Sequence, residues 1–389
     1  MQIPLSSPDI RDQDRAAVLA VLDSGTLSLG PRLPAFEHAI AKLTKSRYAV
    51  AVNSGTSALH LCVKAAGIGE GDEVITTPFS FVASANCILF ERAKPVFVDI
   101  DPISYNIDVS KIEDAITPRT KAILPVHVFG RPCGLAEITA VAQKHGLIVI
   151  EDSCEAIGAQ YQGRSVGSFG QTGVFAFYPN KQLTTGEGGV IVTDDAKIAA
   201  RCRSWRNQGR SEADGWLEHD SLGYNYRLSE LNCALGISQF SRLPEILAAR
   251  TRVAELYDEI LRDCSDVAAP ALTEPGAVIS WFVYVVRLSD EFDRTDRNHV
   301  IATLQQQGIG CRNYFPPIHL QPLYRNAFGF GPGDFPVAEH VADRTIALPF
   351  FNRLSAGEIN SVCHSLQAAL QSPASTTARA DRVSLVARA

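Results

Sequence analysis

Seven short apolar runs separated by amphipathic segments decide what this chain can fold into. They are Tyr48–Val52, Glu73–Thr77, Val96–Asp99, Ala122–Val126, Leu147–Glu151, Val174–Phe177 and Val190–Thr193. Most are rich in Val and Ile and lack strict alternation, the pattern of strands buried on both faces. Between them, Thr56–Ala66 and Leu135–His145 place apolar residues at helical spacing. Strand–helix–strand succession needs crossover connections, so a mostly parallel α/β sheet covered by helices is expected.

With 389 residues, the chain is long enough for more than one core. Its texture changes near Leu228, where Leu228–Phe240 and Leu243–Asp263 read as helices. A turn-rich stretch, a strand from Trp281, a helix over Arg297–Gln307 and a closing helix over Ser355–Leu370 follow. The expected division is a large α/β domain over 1–250 and a smaller α+β domain over 251–372, with the N-terminal segment able to pack on the smaller one. The polar, small-residue stretch 373–389 reads as a disordered tail.

Net charge is −6, which disfavours nucleic acid or an anionic membrane as the main partner. The apolar stretch Val74–Phe90 is interrupted by polar residues and is no membrane span, and the N-terminus has no signal-peptide pattern. The nine cysteines show no Cys-x-x-Cys spacing and lie mostly in apolar surroundings. Buried free thiols, a reducing cytoplasm and no metal site are expected.

Three segments carry chemistry. NSGTSALHL joins a strand to a helix at Asn53. Its small residues and the unpaired N–H groups of the helix start suit an anion, with Thr56 and Ser57 adding hydroxyls, although an ordinary cap uses the same residues. Asp152 ends the apolar run LIVIE, at the carboxyl end of a central strand where open α/β sheets bind ligands. It could cap a helix or hold a heterocyclic nitrogen protonated. Lys181 lies in a glycine-rich loop between two strand-like runs. There it is either a surface charge or an amine able to form a Schiff base with an aldehyde. Together, an anion cradle, a strand-end carboxylate and a loop amine are what pyridoxal 5'-phosphate (PLP) requires.

The motifs GTSAL at Gly55, GDEVITTPFSFVASAN at Gly71, PVFVDID at Pro95, RTKAILPVHVFG at Arg119, IEDSCEAIGA at Ile150, NKQLTTGEGG at Asn180 and GYNYRLSEL at Gly223 extend the pattern. Through them the chain resembles the DegT/DnrJ/EryC1/StrS family of sugar aminotransferases from about Leu27 to about Leu370. The resemblance implies the fold type I architecture, with a mostly parallel seven-stranded sheet and a smaller C-terminal domain. It implies that Lys181 carries the cofactor and moves the proton, and that Asp152 pairs with the ring nitrogen. Gly55, Thr56 and Ser57 would bind the cofactor phosphate, and Phe81 would stack on the ring unless it is a core residue. Asn225 would reach the phosphate in a neighbouring subunit, making the enzyme at least a homodimer.

Two positions depart from the common family pattern. Ala176 replaces a phosphate-binding serine, and Glu155 replaces a glutamine near the ring's phenolic oxygen. A second carboxylate there needs a proton or a basic partner. In CRNYFPPIHLQPLY, Tyr314 and His319 are candidates to line the substrate mouth, His319 equally a structural histidine. The implied reaction moves an amino group from an amino acid, L-glutamate by resemblance, to a nucleotide-linked keto sugar. A cyclitol ketone as acceptor, a PLP-dependent lyase or dehydratase, and a non-enzymatic regulator on the same scaffold remain open alternatives.

Overall fold

The computed structural model describes residues 2–211 and 217–371. The stretch 373–389, expected to be a tail, lies outside them. The larger unit comprises Ile10–Leu247 and Thr273–Phe282. The smaller one comprises the N-terminal residues up to Asp9, Ala248–Leu272 and the chain from Val283 onward. The expected single cut near residue 250 therefore misses one excursion, in which residues 273–282 return to the larger unit. Ala277–Val278 pairs there with Gln160–Tyr161, and that strand with Arg164–Ser165.

In the larger unit, seven strands form one sheet. They are β1 (Tyr48–Val52), β2 (Glu73–Thr76), β3 (Lys94–Phe97), β4 (Thr120–Ile123), β5 (Ile148–Asp152), β6 (Thr172–Ala176) and β7 (Gly189–Thr193). Their order is β1-β7-β6-β5-β4-β2-β3, and β7 alone is antiparallel to its neighbours. Three strands begin about two residues before their apolar runs, at Lys94, Thr120 and Thr172. The ladder engages backbone groups, so it extends into polar residues at the strand entrances.

The helices of this unit are α1 (Asp12–Ser24), α2 (Arg32–Thr44), α3 (Gly55–Ala65), α4 (Ala83–Phe90), α5 (Leu135–His145), α6 (Ala196–Arg206) and α7 (Glu230–Phe240). The domain boundary falls within α8 (Leu243–Leu261). Phe36 of α2 meets Phe177 edge-on at 5.3 Å within a core that includes Ile75, Ile123, Phe175 and Val190. Asp14 of α1 is buried and accepts from Gln239 and Arg242 at 2.8 and 3.0 Å, fixing α1 against the end of α7.

The smaller unit has the sheet β8 (Val267–Ala268), β9 (Tyr284–Leu288) and β10 (Thr345–Leu348), with helices α9 (Arg294–Gln306), α10 (Pro322–Phe328), α11 (Pro336–Ala342) and α12 (Ala356–Leu370). Tyr257 stacks on Tyr284 at 4.7 Å in its core, and the Tyr257 hydroxyl donates to the Pro349 carbonyl at 2.8 Å. Ile3 bonds both flanks of Ile309: its N–H reaches the Gly308 carbonyl at 2.9 Å, and its carbonyl accepts from Gly310 at 2.7 Å.

Candidate active site

The carboxyl ends of β5 and β6 and the start of α3 meet closely. A Cβ on Gly55 would lie 2.7 Å from the Ala176 Cβ and 3.0 Å from the Cys154 Sγ. Only a glycine lets the helix start this near the ends of the two strands. Ser54 caps α3: its hydroxyl accepts the Ser57 N–H at 3.0 Å. The Ser57 hydroxyl donates to Asn53 Oδ1 at 2.7 Å. The two serine hydroxyls lie 2.9 Å apart. Ser57 is thus partly occupied by the cap. The N–H groups of Gly55 and Thr56, the first two of the helix, have no carbonyl partner within it and could bind an anion. Ser54 and Asn53, which hold Ser57 in the cap, were not singled out in the sequence; the S-x-x-S spacing before an apolar run was the available signal.

Asp152 is the last residue of β5, the central strand, and is 4% exposed. Its Oδ2 accepts from the Ser84 hydroxyl at 2.7 Å, and its Oδ1 from the Cys154 N–H at 3.1 Å. Neither bond comes from a cation, and each oxygen keeps lone-pair capacity for a protonated ring nitrogen. The preceding Glu151 is fully buried. It accepts from the N–H groups of Gly167, Phe169 and Gly170 at 2.7, 2.5 and 2.6 Å. It also lies 3.3 Å from His127 Nε2. His127 Nδ1 accepts the Cys133 N–H, which leaves the ring proton on the nitrogen facing Glu151. The His127 N–H in turn donates to the Asp152 carbonyl at 3.1 Å. One residue therefore anchors the strand end while its neighbour faces the site.

Lys181 stands in the loop between β6 and β7. Both ends of that loop are pinned at Phe177, which donates to the Gly188 carbonyl at 2.9 Å and accepts from the Thr185 N–H at 3.0 Å. Gly186 has a φ of +83°, a turn that favours glycine. Asn232 of α7 donates to the Thr185 carbonyl at 2.6 Å. The lysine is therefore held in place rather than solvated on a free loop. Its Nζ lies 3.5 Å from Glu155 Oε1 and 3.9 Å from the centroid of the Phe282 ring. Phe282 belongs to the strand-like run WFVYVVRL, where nothing in sequence marks it as a site residue.

Glu155 is buried and accepts the Phe129 N–H at 2.9 Å. Burial pushes its carboxyl above the usual range, against the opposing pull of Lys181 and the Phe129 N–H. The base that the second carboxylate requires is Lys181 itself. Gln182 Nε2 fastens this corner by donating to the Glu155 carbonyl at 2.6 Å and the Ser280 carbonyl at 3.0 Å.

Phe81 is 60% exposed, so it is not a core residue. An exposed aromatic in the loop before α4, two residues from Phe79 in the core, is available to cover a flat ligand. Asn225 is exposed, and its carbonyl accepts from Asn53 Nδ2 at 3.3 Å. In the smaller unit, Tyr314 is partly buried. His319 is fully buried, with Nε2 3.0 Å from Glu339 and its ring packed edge-on against Phe335. Of the two readings open for His319, burial and the Glu339 contact describe the structural one, in which it holds α11 in the packing of the smaller unit. Among the described residues no group of three His, Cys, Asp or Glu could hold a metal ion, and no helix is long and apolar enough to cross a membrane.

The profile of the DegT/DnrJ/EryC1/StrS aminotransferase family matches residues 8–367. The chain belongs to this family. It is 39% identical over 372 residues to the GDP-perosamine synthase of Caulobacter vibrioides, covering 95% of this chain and 98% of that one. It superposes on Helicobacter pylori PseC, an aminotransferase involved in the biosynthesis of pseudoaminic acid, with a TM-score of 0.90 at 31% identity, covering 95% and 99% of the two chains. The PLP form of the putative sugar aminotransferase Spr1654 from Streptococcus pneumoniae gives a TM-score of 0.90 at 26% identity, covering 95% and 98%.

The protein is a PLP-dependent sugar aminotransferase of fold type I, and its residues fit that cofactor. A glycine-gated helix start suits the phosphate. A buried strand-end carboxylate with no salt-bridging cation among the described residues suits the ring nitrogen, and a restrained lysine suits the aldehyde.

Proposed function

We propose that this enzyme transfers an amino group from an amino acid, L-glutamate, to the ketone of a nucleotide-linked deoxy sugar, in the making of an aminosugar for surface polysaccharide or antibiotic. The observation that carries the reading of the site is Lys181 Nζ held between Glu155 and the Phe282 ring. Gly55, Thr56 and Ser57 would receive the phosphate, Phe81 would cover one ring face, and Asp152 would keep the ring nitrogen protonated. When bound, PLP supplies the aldehyde that carries nitrogen and an electron-accepting ring.

The chain's own groups do the rest. Lys181 Nζ takes a proton from the donor's Cα and delivers one to the sugar carbon that gains nitrogen. Glu155, 3.5 Å away, balances the lysine's charge as that proton comes and goes. The buried surroundings of the pair keep bulk water from competing for the proton. The GDP-linked sugar in the name of the Caulobacter relative supports a nucleotide-linked acceptor. Asn225, exposed beside Asn53, would complete the cradle of a neighbouring subunit, so the working form is a homodimer. Tyr314 stays a candidate for the acceptor.

The test is an assay of the purified holoenzyme with L-glutamate and a panel of nucleotide-linked keto sugars and cyclitol ketones. 2-Oxoglutarate formed in step with an aminated nucleotide sugar supports the proposal. Turnover confined to the cyclitols refutes it.

A further inference from the structure

We propose that Ser84 and Ser80 form a hydroxyl relay that holds the Asp152 carboxylate in place for the ring nitrogen and ties it to the loop carrying Phe81. The proposal rests on the reading of Asp152 as the partner of the PLP ring nitrogen. Ser84 is the second residue of α4, and its hydroxyl reaches Asp152 Oδ2 at 2.7 Å. Ser80 Oγ lies 3.1 Å from Ser84 Oγ and also 3.1 Å from the Phe81 carbonyl. The Ser84 N–H donates to that same carbonyl at 3.2 Å. Ser80, Ser84 and Asp152 are all buried, at 4%, 1% and 4% exposure.

The directions of these bonds follow from valence. An ionised carboxylate only accepts, so the single Ser84 proton points to Asp152. The Ser84 oxygen is then free to accept from Ser80, whose one proton is shared between Ser84 and the Phe81 carbonyl. A bond donated to a buried carboxylate favours its charged form. Without it, the Asp152 carboxylate is less firmly placed to keep the ring nitrogen protonated. With PLP bound, the ring would then draw fewer electrons from the nitrogen joined to Lys181, which would keep its proton to higher pH. Ser84 and Ser80 are positioning residues: they act on the cofactor through Asp152 and through the backbone of Phe81.

The experiment uses purified Ser84→Ala, Ser84→Thr, Ser80→Ala and Asp152→Ala proteins beside the unaltered enzyme. Cofactor affinity is read by quenching of protein fluorescence on adding PLP. The titration midpoint of the bound cofactor is read from its visible absorption against pH. Ser84→Ala is expected to bind PLP about tenfold more weakly and to raise the midpoint by about half a pH unit or more. Ser84→Thr keeps the hydroxyl and both wild-type values, and Ser80→Ala gives a smaller shift of the same sign.

An unchanged midpoint in Ser84→Ala overturns the relay, and so does a Ser84→Thr shift as large as the alanine's, which would report packing alone. If Ser84→Ala does not fold, Ser80→Ala decides, and an unshifted midpoint there overturns the proposal. Asp152→Ala separates the two layers of the argument. Wild-type cofactor affinity in that variant would overturn the role of Asp152 itself, and the relay with it.

Discussion

Glu155 and Lys181 show how a carboxylate and an amine share one buried corner. The glutamate is shielded from water, accepts a backbone N–H and faces the lysine at 3.5 Å. Its raised pKa has a consequence for stability. Between the ordinary carboxyl pKa and the raised one, the folded protein binds more protons than the unfolded chain. Stability therefore falls as pH rises through that interval. Thermal melts of the cofactor-free protein across mildly acidic pH should show this slope, and Glu155→Gln should flatten it. For Lys181, replacement by Ala should cut kcat for amino transfer by about 10²- to 10⁴-fold or more, the share of a positioned proton-transfer group. Far-UV circular dichroism should be unchanged, because the bonds that pin this loop at Phe177 are backbone bonds and do not use the lysine side chain.

At the scale of elements, the site is built where strand ends and one helix start are forced together. Gly55 is the narrowest point, since an added Cβ would press on Ala176 at 2.7 Å. Gly55→Ala should push the α3 start away from β6 and weaken PLP binding by about tenfold or more, measured by equilibrium titration. Ala176 belongs to the same squeeze, since its Cβ is the atom that an added Gly55 Cβ would meet. Glu151 does a different job, gathering three backbone N–H groups of the turn before β6. Glu151→Ala would strand those donors in the interior at about 1–3 kcal/mol each. Chemical denaturation should register a loss of about 3 kcal/mol or more. The spacing of apolar residues placed α3 and α5 to within a residue. It gave no sign of α1, because the pairing that fixes that helix, Asp14 with Gln239 and Arg242, joins residues more than 200 positions apart.

Over the whole molecule, the chain crosses between its two units more than once. The smaller unit takes up the N-terminal residues through Ile3 with Gly308 and Gly310, and through Asp9, which accepts from Arg353 Nε at 2.9 Å. Removing residues 2–9 strips this unit of those bonds. The melting temperature should fall by several degrees, and limited proteolysis should cut first in the smaller unit; an unchanged melt would show that the segment is dispensable. Residues 273–282 return to the larger unit and deliver Ser280 and Phe282 to the lysine corner. Pattern alone assigned that stretch to the smaller domain, because a turn-rich segment next to a strand carries no mark of which sheet it will join.

The sequence by itself determined the α/β class, the order of the seven sheet strands along the chain, and the identity of the family, because periodicity and short motifs are local properties written in consecutive residues. It also singled out Asp152 and Lys181, whose placement at a strand end and in a glycine-rich loop is visible without coordinates. Only the tertiary structure decided that Glu155 is paired with Lys181, that Phe81 is exposed while His319 is buried, and that Ser84 bonds Asp152. Those facts depend on distance and burial between segments far apart in the chain, and no run of neighbouring residues encodes them.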